Sequence, residues 1–449
     1  MVRVPLLLLQ LLWSVSANLS FVTLGDWGGA ALDEPSKPYA KNTRDVASAL
    51  KDSFAKNDIQ FLVNTGDNFY WCGIQNTSDF QIKTDWLDTY SDSVRATKWY
   101  GVLGNHEYGY NVQAQIDLGK IYPNWIMDAR YYTRRVALTA TQSVTLIFLD
   151  TSPCVSEYRS SSKGGWDPCG SEYPTCSLSG GGDEFEGTCR FHANINTQDC
   201  TKQLSWFQTQ LAAAPKEDWL LIVGHHPLDE LDVEDFVTPA HAHGFDLYLN
   251  GHAHTLTHYQ VDGNPKYVTS GAGALVMSYD QLGGSPAKDR TMRKATGGDV
   301  DGDGQLSEEE QAAMEEMASV PYGANSNRSG HTYKQIYNHK VSGFTLHTFS
   351  SDLSTLTTDL IGVDGKSMYS FSVTKGAPSP PSPSPSPSPP CSLVWLFCAA
   401  CQGGCSCLSS TGCTTPSSPT TYCSTKYWRS TSTARPSRST TRTRSCLRT

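Results

Sequence analysis

The sequence predicts an α/β layered fold whose ligand site lies where several strands end. Two patterns carry that expectation. Apolar, β-branched runs each stop at a cluster of glycine and polar residues, and segments with helical spacing lie between them. Strands alternating with helices build layered α/β folds, and ligands in such sheets sit beyond the carboxyl ends of the strands.

In chain order, "FVTL" runs into "GDWGG" (25–29), "IQFLVNT" into "GDNFY" (66–70), and "WYGVL" into "GNHEY" (104–108). Later, "LLIV" leads to "GHHP" (224–227) and "FDLYL" to "NGHAH" (250–254). Each pair reads as a buried strand and its loop. Between the first two strands Val46, Leu50 and Phe54 repeat at helical spacing, and "KQLSWFQTQLAAA" does likewise before "LLIV".

The ends of the chain read differently. Met1, Val2 and Arg3, the apolar "PLLLLQLLWSV" and the small residues up to Ala17 form a secretory signal, residues 1–17. No later stretch has the length of a membrane span, so a soluble protein outside the cytosol is expected. Six cysteines precede the tail (Cys72, Cys154, Cys169, Cys176, Cys189 and Cys200) and eight follow residue 390. In an oxidising compartment these are disulfides, with fifteen pairings open to the first six. Asn76 and Asn327 head glycosylation sequons in expected loops, and Asn18 heads another at the mature N-terminus.

The catalytic region is expected over 18–376. Residues 153–200, rich in Gly, Ser and Cys, read as a disulfide-stapled surface insertion, and 283–329 as a second insertion. A Ser-Pro spacer, 377–390, leads to a Cys-rich and then Arg/Ser/Thr-rich tail, 391–449, suited to extracellular-matrix or cell-wall contact. Residues 377–449 hold Lys426 and six arginines with no acid; removing that +7 from the net charge of -9 leaves -16 on the rest. So acidic a body argues against nucleic-acid binding, and an anionic substrate needs local cations.

Together the strand-end loops supply Asp26, Asp67, Tyr70, Asn105, His106, His225, His252 and His254. Hard oxygen ligands and imidazoles in such number exceed the needs of one ion and suit two ions bridged by a carboxylate. Asp67 is the natural bridge. Asn105 offers a neutral amide oxygen, which limits negative charge where an anion approaches, and a Tyr70 phenolate suits trivalent iron. His226 either faces the substrate or packs beside Pro227. His241 and His243 precede their strand and read as surface residues, and His258 reads as structural.

The ordered set "GDWG", "GDNFY", "GNHE", "GHHP" and "GHAH", followed by "YVTSGAG", resembles the purple acid phosphatases, specifically the small tartrate-resistant type of calcineurin-like metallophosphoesterase. The resemblance covers about 20–282 and resumes from "SGFTLHTFS" to "GKSMYSFSV". It implies a four-layer αββα sandwich and a secreted acid phosphatase that hydrolyses phosphate monoesters with a metal-bound hydroxide. It implies Fe(III) on Asp26, Asp67, Tyr70 and His254, and a divalent Fe, Zn or Mn on Asp67, Asn105, His225 and His252. His106 would then stand near the leaving group. The small enzymes carry a second histidine a few residues after "GH-x-P", where this chain has the acids of "LDELDVEDF". The 153–200 insertion falls near the family's regulatory loop and is expected to alter access to the site.

A second motif, "DVDGDGQLSEEE", places Asp299, Asp301, Asp303, Gln305 (by its backbone carbonyl), Ser307 and Glu310 at the ligand positions of an EF-hand calcium loop, with Gly304 at the turn. Gly297 and Gly298 weaken the entering helix, and the small phosphatases do not ordinarily carry this insertion. Two rivals remain: a manganese or zinc phosphodiesterase or nucleotide hydrolase of the same superfamily, and a calcium-binding extracellular scaffold without turnover.

Overall fold

Each of the five strand-and-loop pairs read from the sequence begins with a strand. A computed structural model describes residues 18–32, 38–160, 166–169, 189–274 and 325–375. The signal 1–17, the six calcium-loop residues from Asp299 to Glu310, the Ser-Pro spacer and the tail lie outside them. The strands are β1 (Leu19–Leu24), β2 (Asp58–Asn64), β3 (Lys98–Gly101), β4 (Trp125–Ile126), β5 (Tyr132–Ala137), β6 (Ser143–Phe148), β7 (Trp219–Val223) and β8 (Leu247–Asn250). They continue with β9 (Leu256–Val261), β10 (Asn264–Ser270), β11 (Asn325–Arg328), β12 (His331–His339), β13 (Gly343–Phe349), β14 (Thr355–Gly362) and β15 (Ser367–Thr374).

Two mixed sheets result, one in the order β15-β14-β13-β1-β2-β3-β4 and the other β11-β12-β9-β10-β8-β7-β6-β5. In the first, β1 to β4 are parallel neighbours. In the second, β6, β7, β8 and β10 are parallel. The five motif-bearing strands belong to these parallel blocks, which is why their loops emerge at one end.

Side-chain alternation shows how the layers stack. Val144, Leu146 and Phe148 of β6, Trp219, Leu221 and Val223 of β7, and Leu247 and Leu249 of β8 share one core with Phe21 and Phe61 of the other sheet. Their sequence neighbours Ile147, Ile222 and Tyr248 point the opposite way, against Phe207 and Leu211 of helix Cys200–Ala213 and Val237 and Ala240 of helix Val237–His243. A strand buried on both faces reads as an unbroken apolar run, which explains "LLIV". Helix Pro38–Lys56 buries Val46 and Leu50 with the first sheet. The architecture is helix, sheet, sheet, helix, as expected.

The 153–200 segment is more than a surface staple. Cys154 pairs with Cys200 and Cys169 with Cys189, and Cys72 is also disulfide-bonded. Tyr158, Phe191 and Ile195 are buried in the main core. Its described ends therefore carry packing residues that its polar composition conceals. Asn76 is exposed in a loop as expected, but Asn327 sits within β11, because the turn at Ser329 and Gly330 folds that segment back on β12 as a hairpin. Among the described residues no helix is long and apolar enough to cross a membrane.

Candidate metal centre

The loops after β1, β2, β3, β7 and β8 bring Asp26, Asp67, Tyr70, Asn105, His106, His225, His252 and His254 together, all buried. Their backbones bend sharply. Asp26 (φ 55°), Asp67 (49°), His252 (67°) and His254 (40°) all occupy the left-handed region. That conformation is unfavourable for such residues and is tolerated where the surroundings hold a functional side chain in place. Neighbouring glycines make room: a Cβ on Gly104 would lie 2.0 Å from Asp67 Oδ1, and one on Gly251 2.3 Å from Asp26 Oδ2.

Two donor groups form. In one, Tyr70 Oη lies 3.2 Å from Asp26 Oδ1 and 3.0 Å from His254 Nε2, and His254 Nε2 lies 3.2 Å from Asp26 Oδ1. In the other, Asn105 Oδ1 lies 3.0 Å from His225 Nε2 and 3.1 Å from His252 Nδ1. Asp67 touches both, with Oδ2 3.5 Å from Tyr70 Oη and 3.2 Å from His225 Nε2. His225 is oriented through Nδ1, 2.8 Å from the Thr65 carbonyl, a common way to aim a ligating imidazole.

The electrostatics favour cations. Burial raises the Asp26 carboxyl above its usual range despite His254 and His225. Burial also opposes ionisation of Asp67, but the charges of His225 and His106 overcome it and hold that carboxyl low. A charged His225 is penalised by burial too, yet Asp67 lifts it to about 9. Buried carboxylates this close are costly unless paired or bound to metal. The donor set of carboxylate, phenol, amide oxygen and imidazole fits metal ions, and Asp26, Asp67 and His254 offer ligand atoms within 4.8 Å of one another, as do His225, His226 and His252.

His106 stands beside this centre. Its Nδ1 lies 2.6 Å from the Trp71 carbonyl, its Nε2 3.8 Å from Asp67 Oδ2, and burial lowers its pKa. His226 has both ring nitrogens engaged, Nδ1 2.8 Å from Thr151 Oγ1 and Nε2 3.2 Å from Tyr158 Oη, while its ring lies 4.2 Å from that of His252. Of the histidines read as remote, His243 is exposed, and His241 is half-buried with Nε2 2.6 Å from Tyr267 Oη. His258 stacks on Phe371 and bonds at both nitrogens to Tyr369 and Pro265, as a structural residue does.

Sequence reasoning missed three contributors. Glu107 accepts backbone N–H bonds from Asp67 (3.0 Å), Asn68 (2.8 Å), Phe69 (3.3 Å) and Gly104 (2.5 Å), tying two site loops together. Burial, then the Asp67 charge, pushes it up to about 8. Its position inside "GNHE" was the available signal. Glu230, from the acidic stretch after "GHHP", has Oε2 3.7 Å from His252 Nε2. Trp166, from the Cys-rich segment, packs against the His106 ring at 5.1 Å between centroids.

Comparison with known proteins agrees with this geometry. The calcineurin-like phosphoesterase profile matches residues 19–256. Tartrate-resistant acid phosphatase type 5 of Mus musculus is 30% identical over 290 residues, 60% of this chain and 79% of the relative. Purple acid phosphatase 17 of Arabidopsis thaliana is 28% identical over 268 residues, 57% and 69% respectively. In fold, the chain superposes on the solved structure titled "GAP50 the anchor in the inner membrane complex of Plasmodium" with a TM-score of 0.52 at 18% identity, covering 80% of this chain and 90% of that one. The strand-end loops, the buried donor groups and these matches lead to one conclusion: the chain belongs to the calcineurin-like phosphoesterase family, as a metallophosphoesterase of purple acid phosphatase type.

Proposed function

We propose that the chain is a secreted acid phosphatase that hydrolyses phosphate monoesters with ferric iron and a divalent iron, zinc or manganese ion. The observation that carries this reading is the position of Asp67, whose single carboxylate reaches both donor groups. Asp26, Tyr70 and His254 would hold the ferric ion with Asp67; Asn105, His225 and His252 would hold the divalent ion with it. When bound, such a pair neutralises phosphate oxygens and activates water for in-line attack.

The protein's own groups do the rest. The Trp71 carbonyl can only accept a hydrogen bond, so His106 Nδ1 carries a hydrogen and Nε2 is the nitrogen that gains or gives a proton. We assign Nε2 to protonating the leaving oxygen. Direct contact of His226 with substrate would require it to release Tyr158, so we assign it first to supporting the His252 ring. Secretion and calcium binding by Asp299, Asp301, Asp303, Gln305, Ser307 and Glu310 belong to the same proposal and rest on sequence; the disulfides are in keeping with an oxidising compartment.

The test is turnover of p-nitrophenyl phosphate against bis(p-nitrophenyl) phosphate by the metal-replete full chain. Faster hydrolysis of the monoester, rising toward acidic pH and lost on chelation, is expected. Preference for the diester would hand the site to a phosphodiesterase. Calcium binding without turnover of either ester would make the chain a scaffold.

A further inference from the structure

At the amino ends of β7 and β8, opposite the ends that carry His225 and His252, lies a cavity of about 450 Å³. Asp218 and Asp246, each just before one of these strands, line it together with Lys266 near the start of the parallel β10. The length of β7, roughly 16 Å of strand, separates it from the metal centre. Three lysines, Lys216, Lys266 and Lys375, face the two carboxylates. Asp218 is committed elsewhere: Arg135 grips it with Nε at 2.6 Å and Nη2 at 2.8 Å, and Thr145 Oγ1 donates to it at 2.8 Å. Asp246 is the carboxylate left for the lysines, and its Oδ2 lies 3.3 Å from Lys375 Nζ while also accepting the Leu220 N–H at 2.8 Å.

Positive charge is therefore in excess in this recess. Helices Cys200–Ala213 and Val237–His243 end at its wall, and their carboxyl-terminal partial charges, at most about half a unit each, offset only part of it. Lys266 is buried and donates to the Phe245 carbonyl at 2.9 Å; burial lowers its pKa, Asp246 raises it and Lys375 lowers it further. An anion entering the recess would offset that cost, since a cleft lined by one sign of charge focuses its field. Lysines offer point charges with rotatable donors, which suit a tetrahedral oxyanion, whereas the planar fork that matches a carboxylate belongs to arginine, and Arg135 is taken by Asp218. The volume is that of a small-molecule site, and Leu220 and Phe245 add apolar wall. We propose that this cavity is a second anion site, separate from the metal centre, and that it binds a phosphate group, either as inorganic phosphate or on a small organic monoester.

The test is equilibrium dialysis of radiolabelled inorganic phosphate against the metal-replete full chain, unmodified and as Lys375→Met. Methionine removes the charge and keeps an unbranched stem beside Trp219, whose ring centre lies 5.7 Å from Lys375 Nζ. The unmodified chain should bind one equivalent that Lys375→Met lacks or holds about tenfold or more weakly, while the inhibition constant of phosphate against p-nitrophenyl phosphate turnover stays the same in both. Equal binding by the two proteins overturns the site. If Lys375→Met does not fold, Lys216→Met at the exposed rim carries the test, with an expected weakening of about two- to fivefold; unchanged affinity there sinks the proposal. At the site that Lys375→Met removes, propylphosphonate binding more tightly than phosphate assigns it to a monoester, and weaker binding assigns it to the free ion. If the unmodified protein hydrolyses no ester, the phosphatase reading fails by itself, and the equivalent lost in Lys375→Met still decides the cavity.

Discussion

The two halves of the site are built from different chemistry. Asp26, Tyr70 and His254 put a carboxylate and a phenol within 3.2 Å of each other, whereas Asn105, His225 and His252 surround a neutral amide oxygen with two imidazoles. The first half can offer two anionic oxygens, and the second relies on Asp67 for its only carboxylate among those assigned ligands. Such asymmetry suits a trivalent ion beside a divalent one, since ligand charge tracks ion charge. Asp67 joins the halves, and its loss should do the most damage. Asp67→Asn removes the shared charge, and losing several kcal/mol of transition-state stabilisation at 1.36 kcal/mol per decade means a fall in kcat of about a thousandfold or more. Elemental analysis should then find both metals depleted; full occupancy with full activity would refute the bridge.

His252→Ala strikes the neutral half alone. About one of two metal equivalents should be lost, with activity down about a hundredfold or more, while any visible band from the anionic half persists. Tyr70→Phe is the converse and the milder change in rate. If Tyr70 is a ferric phenolate, the broad green-to-yellow absorption of the metal-replete protein should vanish, with turnover reduced by about tenfold or less because Asp26, Asp67 and His254 remain. A colourless but active unmodified protein would keep two metals and remove iron. Loss of colour in His252→Ala with its retention in Tyr70→Phe would reverse the assignment of the halves.

How much of this was legible in the sequence follows from where each signal lives. The strands of the parallel blocks are continuous apolar runs ended by glycine, so β1, β2, β3, β7 and β8 and their loops could be read, along with the helix that buries Val46 and Leu50. The ligand set was legible because metal chemistry restricts it to a few residue types at loop positions. Glu107 stands inside "GNHE", but its role was not legible, because the four backbone N–H groups it receives come from two loops that only the fold brings together. Trp166 was hidden for a different reason: its neighbours are Gly, Ser and Cys, and only the fold carries it back to His106. Composition also concealed the half-burial of His241, whose partner Tyr267 comes from β10.

One more buried imidazole sharpens the comparison by lacking any carboxylate. His347 of β13 is enclosed by the hydroxyls of Thr23 (2.9 Å), Thr345 (3.0 Å) and Thr358 (2.9 Å) and stacks on Phe21. With Asp67 beside it, buried His225 is raised to about 9; with hydroxyls alone, burial lowers His347 to about 3. The consequence for stability has a definite sign. Below about 6.5 an unfolded chain protonates this histidine, whereas the folded protein does not until about pH 3. The unfolded state therefore binds more protons in that window, and stability falls by about 1.4 kcal/mol per pH unit as the pH drops through it. His347→Gln keeps groups that can hydrogen-bond the threonines but cannot titrate. Chemical denaturation at pH 7 and pH 5 should show the unmodified holoprotein losing about 2 kcal/mol more than this variant between the two, although the variant starts lower at pH 7 for want of the ring stack. Equal losses would mean that His347 is protonated in the folded state, and the hydroxyl cage would then have to accommodate a charge. A group that weakens the fold in acid sits uneasily in an enzyme proposed to work there, so the difference measured at pH 5 also bears on how acidic its working range can be.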